Sequence, residues 1–169
     1  RVIRVYEGVV FMDFNRGHLE KEGCGIYEEI DPSLLPNVYV AYTKQLSEGT
    51  EVFHNDIRSR WTRGEREVVS AMYRWAGLAE RVKEMLLAGR GREIGPLLNE
   101  NFDLRRRLYK LSQGNIDMVE AARGCGASAK FTGSGGAIVG TYEDDAMFQR
   151  LRETLEPAGV VVIKPKILP

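Results

Sequence analysis

The sequence predicts an α+β domain in which two strand–helix–strand units interleave, and three observations carry that reading. Strand-like apolar runs lie at residues 38–42, 127–132, 137–139 and 160–163. Between the first and second runs stretches a helical segment whose apolar residues recur at alternating fours and threes. A single helix-like segment opening at Asp144 separates the last two runs. From Val38 the order is therefore strand, helices, strand, strand, helix, strand, a split β-α-β with extra helices in its first crossover.

Each element has its own local reasons. Within residues 2–14, Val9, Val10, Phe11 and Met12 form a dense apolar strand, ended by Asp13 and by a polar turn at Asn15-Arg16-Gly17. A second strand at 24–30 stops at Asp31-Pro32, because the residue before a proline is pushed out of helical geometry. The third, at 38–42, places Val38, Val40 and Tyr42 on one face, and 44–50 reads as a polar loop. Asn55 and Asp56 are placed to open a short helix over 53–63, with Gly64 at its end. Val68, Met72, Trp75, Ala79, Val82 and Leu86 make one stripe on a long helix over 65–88, stopped at Gly89-Arg90-Gly91. A helix over 92–111 carries Leu97, Leu104, Leu108 and Leu111, and Pro96 must fall in its first turn or bend it. Asn115 is expected to cap a helix running to Arg123, with Ile116 and Val119 turned inward. Asp144 and Asp145 suit the positive end of a last helix, whose inner face is Met147 or Phe148, Leu151 and Leu155, with Gly159 at its end. This succession is that of the ferredoxin-like arrangement.

Composition bounds the function. A chain of 169 residues makes one good core, and 24 basic against 24 acidic residues gives no general preference for nucleic acid or membrane. No apolar run is long enough to cross a bilayer. Cys24 and Cys125 form no metal or redox motif and are expected reduced and buried, which, with no signal-like segment, suits a cytoplasmic protein.

The most informative stretch is GASAKFTGSGGAIV, residues 126–139. Glycine costs backbone entropy, so three in the four positions Gly133, Ser134, Gly135 and Gly136 call for positive φ angles or a neighbour that excludes a Cβ. A phosphate chain held by backbone N–H groups meets that description, and so does a tight hairpin. His18 and His54 lack partners at ligand spacing, so no metal site is expected. Glu28, Glu29 and Asp31 alternate along a strand and read as solvated acids. No G-x-S-x-G, Walker A or dinucleotide fingerprint is present, and no catalytic centre is expected within the chain. Arg58, Arg60, Arg63 and Arg66 flank Trp61, and Arg105, Arg106 and Arg107 follow Phe102. Such clusters are either solvated faces or guanidinium forks for a carboxylate or phosphate, and Arg58 and Trp61, three apart, share a helix face.

The segment AARGCGASAKFTGSGGAIVG resembles the third motif of the GHMP kinases, the superfamily of galactokinase, homoserine kinase and mevalonate kinase. Within it the likeness is to plant-type glucuronokinases, through VYEGVVFMDF, GIYEEIDPSLLP, RSRW, NENFDLRRRLY and NIDMVEAAR as well as the glycine loop. The resemblance implies a ferredoxin-like C-terminal domain at 37–169, preceded at 1–36 by strands that belong to the N-terminal part of the kinase fold. It implies ATP and magnesium, and transfer of a phosphoryl group to the anomeric hydroxyl of a sugar acid, glucuronate. Lys130, Gly133, Ser134, Gly135 and Gly136 would stand near the nucleotide phosphates; Arg58 and Arg105 would recognise the uronate carboxylate, with Trp61 and Tyr27 against the ring.

Departures from the family pattern are equally informative. The G-L-x-S-S-A phosphate loop is absent from residues 1–169, and the expected aspartate base falls just upstream of Arg1. The chain is thus expected to be the C-terminal half of a kinase, inactive alone, with its N-terminal half as partner and an unpaired strand edge within residues 5–14. A heptose phosphate or galactose substrate, a noncatalytic kinase relative, or a ferredoxin-like module binding RNA or a small effector are the alternatives. The balanced charge and the missing glycine-aromatic strand signature speak against RNA.

Overall fold

The computed structural model describes residues 8–43 and 50–166, the side chains of 50–55 excepted. Strand β1 (Val9–Asp13), helix α1 (Arg16–Glu22) and strand β2 (Ile26–Ile30) come first, then a 3-10 turn (Pro32–Leu34) and β3 (Val38–Tyr42). Helices α2 (Thr50–Thr62), α3 (Arg66–Leu87), α4 (Gly95–Leu108) and α5 (Gln113–Gly124) follow, with a 3-10 turn (Gly91–Glu93) between α3 and α4. Strands β4 (Lys130–Phe131) and β5 (Ala137–Thr141), helix α6 (Asp145–Leu155), a 3-10 turn (Glu156–Ala158) and β6 (Val161–Ile163) complete the order. No described helix is long and apolar enough to cross a membrane.

The four-stranded sheet runs β4-β5-β3-β6, antiparallel throughout. Strands β3 and β4 are separated by β5, and β5 and β6 by β3, so each strand–helix–strand unit is split by a strand of the other. This is the expected ferredoxin-like α+β arrangement, with α2 to α5 in the first crossover. Alternation in β3 buries Tyr39 and Ala41 completely and leaves Val38, Val40 and Tyr42 half-buried on the opposite face. Over the buried face lie Met118, Val119 and Ala122 of α5 and Met147, Leu151 and Leu155 of α6. Asp144 starts α6 by accepting a hydrogen bond from the Met147 amide, 2.8 Å, onto its side chain. Phe148 falls beside this face, its ring 5.2 Å from that of Tyr142.

Several elements differ from the sequence expectation. The polar turn at Asn15 is instead the cap of α1, whose residues have no apolar stripe to betray a helix; Asn15 Oδ1 accepts from the His18 amide, 3.3 Å, and Gly23 ends the element. Pro96 sits in the first turn of α4, and the expected start of that helix at Arg92 is a separate 3-10 turn. Phe102 is its most deeply buried large residue, packed edge-on against Phe131 at 5.1 Å. Helix α2 begins at Thr50, ahead of the expected start; His54 and Asn55 lie outside the described side chains, as 44–49 lie outside the described residues. Cys24, expected buried, is exposed beside the end of α1, and it and Cys125 are free thiols.

The β1–β2 hairpin stands apart from the large sheet. Ile30 seats it on Leu86 and Ile94, and Lys83 of α3 donates to both carboxylate oxygens of Glu28 at 2.7 and 2.8 Å. Among the described residues β1 pairs with β2 alone, which leaves its other edge open; residues 5–7 of the expected edge lie outside the description.

Candidate functional site

The glycine loop is the tip of the β4–β5 hairpin. Its backbone is set by positive φ at Gly135 (148°) and Gly136 (74°), which β-carbon sterics deny most residues. The Thr132 amide donates to the Ala137 carbonyl at 3.1 Å, closing the turn, and the Thr43 amide donates to the Gly136 carbonyl at 2.9 Å, tying the loop to the end of β3.

Two helices reach the loop from below and from the side. Asn115, wholly buried, accepts the Gly136 amide on Oδ1 at 2.8 Å and donates through Nδ2 to Ser112 Oγ at 2.9 Å. It was expected as a helix cap, but α5 begins two residues earlier, after Ser112, and the Asn115 side chain turns into the loop instead. Arg105 of α4 donates from Nη1 to the Gly133 carbonyl at 2.8 Å, its guanidinium 5.2 Å from the ring centroids of both Tyr109 and Phe131. Stacking on two rings fixes the plane of the fork.

Lys130 lies just below the tip, paired with Val139. Its ammonium donates to the Phe131 carbonyl at 2.8 Å and makes no ion pair among the described residues. Burial, with the Arg105 charge as a second cause, holds its pKa below the ordinary lysine value. Lys130 also borders a cavity of about 310 Å³ between the β1–β2 hairpin and helices α3 and α4, lined by Phe11, Val82, Lys83, Leu98 and Asn101 among others. A larger cleft of about 480 Å³ opens at the other end of the hairpin, beside Asn37, Gly95, Ser128 and Thr141. There the Ser128 and Thr141 hydroxyls bond each other at 2.8 Å, and residues 133–136 of the glycine loop line neither of these two cavities.

The structure thus brings Lys130, Arg105, Gly133, Ser134, Gly135 and Gly136 together. Arg58 and Trp61 stand elsewhere, exposed on α2, with the Trp61 ring 6.3 Å from that of Tyr73. Between them Arg60 is half-buried, donating to the Leu108 carbonyl at 3.0 Å and to Glu65 at 2.7 Å, so it fastens α2 to the end of α4. Tyr27 lies in β2, edge-on to Phe14 at 6.1 Å. As side chains that hold the loop and the approach to β4, Asn115, Asn99 and Arg123 are not singled out by the sequence, which marks Asn115 only as a helix cap and Arg123 only as a helix end. Arg123 donates to Asp103, to the Asn99 carbonyl and to the Ala129 carbonyl, and Asn99 Oδ1 accepts the Ala129 amide at 2.9 Å, which closes the outer edge of β4. The one available signal was a polar residue, Asn115, on the apolar face of Met118, Val119 and Ala122. Among the described residues no group of His, Cys, Asp or Glu is arranged to hold a metal ion.

Residues 82–160 match the family model described as GHMP kinases C terminal. Glucuronokinase 1 of Arabidopsis thaliana is 40% identical over 173 residues, covering 100% of this chain and 48% of the relative; Probable glucuronokinase 2 of the same plant is also 40% identical, with 47% of its length covered. The chain therefore spans about half the length of the curated relatives it matches. Among solved structures, L. major mevalonate kinase in complex with R-mevalonate superposes with a TM-score of 0.71 at 18% identity, over 88% of this chain and 48% of that one. Lactococcus lactis galactokinase complexed with galactose gives 0.63 at 14% identity, over 84% and 48%.

Proposed function

From the premise that this chain carries a GHMP kinase C-terminal domain, we propose that it is the nucleotide-phosphate side of a glucuronokinase-like sugar kinase. The observation that carries the reading is the 40% identity to Glucuronokinase 1, which extends over the whole chain rather than the glycine loop alone. In the proposed reaction the anomeric hydroxyl oxygen of glucuronate attacks the γ-phosphorus of ATP. The bond to the β–γ bridging oxygen breaks, ADP leaves, and the hydroxyl proton passes to a base outside residues 1–169. Such a transfer depends on positioning and on charge stabilisation more than on covalent chemistry.

Residues 37–169 form the domain that faces the nucleotide, and residues 1–36 belong with the other half of the kinase. Gly133, Ser134 and Gly135 approach the phosphates, and Lys130 supplies positive charge beside them. Gly136 fixes the loop, since its amide is turned to Asn115. Arg58 and Trp61 are the proposed uronate contacts, with Tyr27 toward the ring from the hairpin. Magnesium is part of the proposed reaction, but the described residues hold no cluster that fits it, and no step here runs through it. Two free thiols agree with a cytoplasmic setting.

The test is an assay of the full-length protein with ATP against glucuronate, galacturonate, galactose and heptose phosphates, following ADP release and the phosphorylated product. Turnover of glucuronate to a sugar 1-phosphate is expected, and Arg58→Ala should raise the KM for glucuronate with that for ATP unchanged. Turnover of another sugar alone would replace the substrate, and phosphorylation of none would end the kinase reading.

A further inference from the structure

Gly133 is exposed while Gly136 is buried, so the loop has an outer and an inner end. Each end is held by a side chain from a different helix, and each contact is to loop backbone: Arg105 to the Gly133 carbonyl, Asn115 to the Gly136 amide. A buried carboxamide is costly unless its groups are bonded, and the loop and Ser112 together meet both its oxygen and its nitrogen. The loop also sits directly on the amide plane of Asn115. A Cβ at Gly135 would lie 3.0 Å from Nδ2 and 3.3 Å from Oδ1, close enough that the amide would have to shift, and the φ of 148° strains any other residue independently.

We propose that Asn115 and Arg105 are positioning residues that latch the glycine loop into one conformation, Asn115 from inside on Gly136 and Arg105 from outside on Gly133. Arg105 then acts through the loop rather than on a sugar carboxylate. A loop fixed in advance loses less conformational freedom when a ligand binds, which is how the latch raises affinity without touching the ligand. The effect on nucleotide rests on the kinase reading above, whereas the latch itself does not.

Amide hydrogen exchange and nitrogen–proton correlation spectra of the full-length protein separate the two, followed by titration with magnesium ADP. In Asn115→Ala the Gly136 amide should exchange about ten-fold faster, as for loss of one internal hydrogen bond, with Ile138 and Ala41 at their original rates. Asn115→Asp keeps an acceptor for Gly136 and should restore its protection. Arg105→Met should shift the Gly133 and Ser134 resonances while Gly136 stays protected. Affinity for magnesium ADP should fall in Asn115→Ala and Arg105→Met. Unchanged Gly136 exchange in Asn115→Ala would overturn the inner latch, and unmoved Gly133 and Ser134 resonances in Arg105→Met the outer one. Should Asn115→Ala fail to fold, Ser112→Ala removes the hydroxyl that accepts from Nδ2 and leaves the Asn115 oxygen in place. It should loosen Gly136 by a smaller factor, and no loosening there would equally overturn the inner latch. If the loop responds as stated but the parent protein binds no magnesium ADP, the latch stands and the kinase reading falls.

Discussion

The two ends of the β4–β5 hairpin are held by different partners, the base by groups within the sheet and the tip in part by side chains of helices. At the base, the Ser128 amide donates to the Thr141 carbonyl at 3.0 Å, and the Ser128 side chain accepts the Thr141 amide on Oγ at 2.7 Å. Tyr39, with no exposed surface, donates its hydroxyl to the Ser128 carbonyl at 2.8 Å, and burial holds that phenol well above its ordinary pKa. At the tip, the Thr132–Ala137 and Thr43–Gly136 backbone bonds close the turn, and the residues between are held by Asn115 and Arg105, side chains belonging to helices. The base, with Ser128 and Tyr39 buried, is expected to open only with the core, and the half-exposed tip to loosen locally.

The sharpest way to break this contrast is one methyl group at the base. A Cβ on Gly140 would stand 1.7 Å from the Ser128 carbonyl oxygen and 2.8 Å from the Tyr39 ring, neither of which can withdraw while the strands stay paired. Gly140→Ala should cost more than about 3 kcal/mol, at the upper end of overpacking effects, read by denaturant unfolding. A loss of about 0.5 kcal/mol or less, the level of an ordinary surface change, would mean that the base yields as easily as the tip. Gly135→Ala at the tip should cost less, about 1–2 kcal/mol for the strained φ and the displaced Asn115 amide. Its unfolding should remain a single transition, and equal costs at the two glycines would erase the distinction.

The same contrast explains what the sequence disclosed. Strand and helix periods, the Asp144 cap, the order of elements and the glycine loop were all legible, because each is written in local residue types. Helix α1 was not, since RGHLEKE has no apolar stripe and its cap and terminal glycine read equally well as a turn. Asn115 was visible but assigned to the wrong partner: its contact with Gly136 spans 21 residues, and nothing local distinguishes a helix cap from a residue one turn inside that reaches a distant loop. Arg105 was singled out by its charge, while the Gly133 carbonyl it meets lies 28 residues on. Gly140 drew no attention as a lone glycine in a strand, although such a glycine signals close backbone approach.

The smallest effect tests whether the tip gives up stability for function. The Lys130 ammonium is disfavoured first by burial and second by the Arg105 charge, so its folded pKa lies below that of the unfolded chain. Below the folded value both states carry the proton and the cost is fully present. Between the folded and unfolded values only the unfolded chain binds it, so stability rises with pH across that window. Lys130→Met removes the buried charge and keeps the stem, and should raise Tm by about 2–4 °C at neutral pH. The gain should shrink as pH climbs through the window, because the original lysine sheds its proton there. Magnesium ADP affinity in the full-length protein should fall at the same time, since an unpaired cation beside the loop is the charge a phosphate would meet. A lysine retained against the stability of the fold, and needed for nucleotide, would mark the tip as the end of the hairpin built for a ligand. A Tm that falls on removal of Lys130, with nucleotide affinity untouched, would make the lysine one more structural contact, and the two ends of the hairpin would no longer differ in kind.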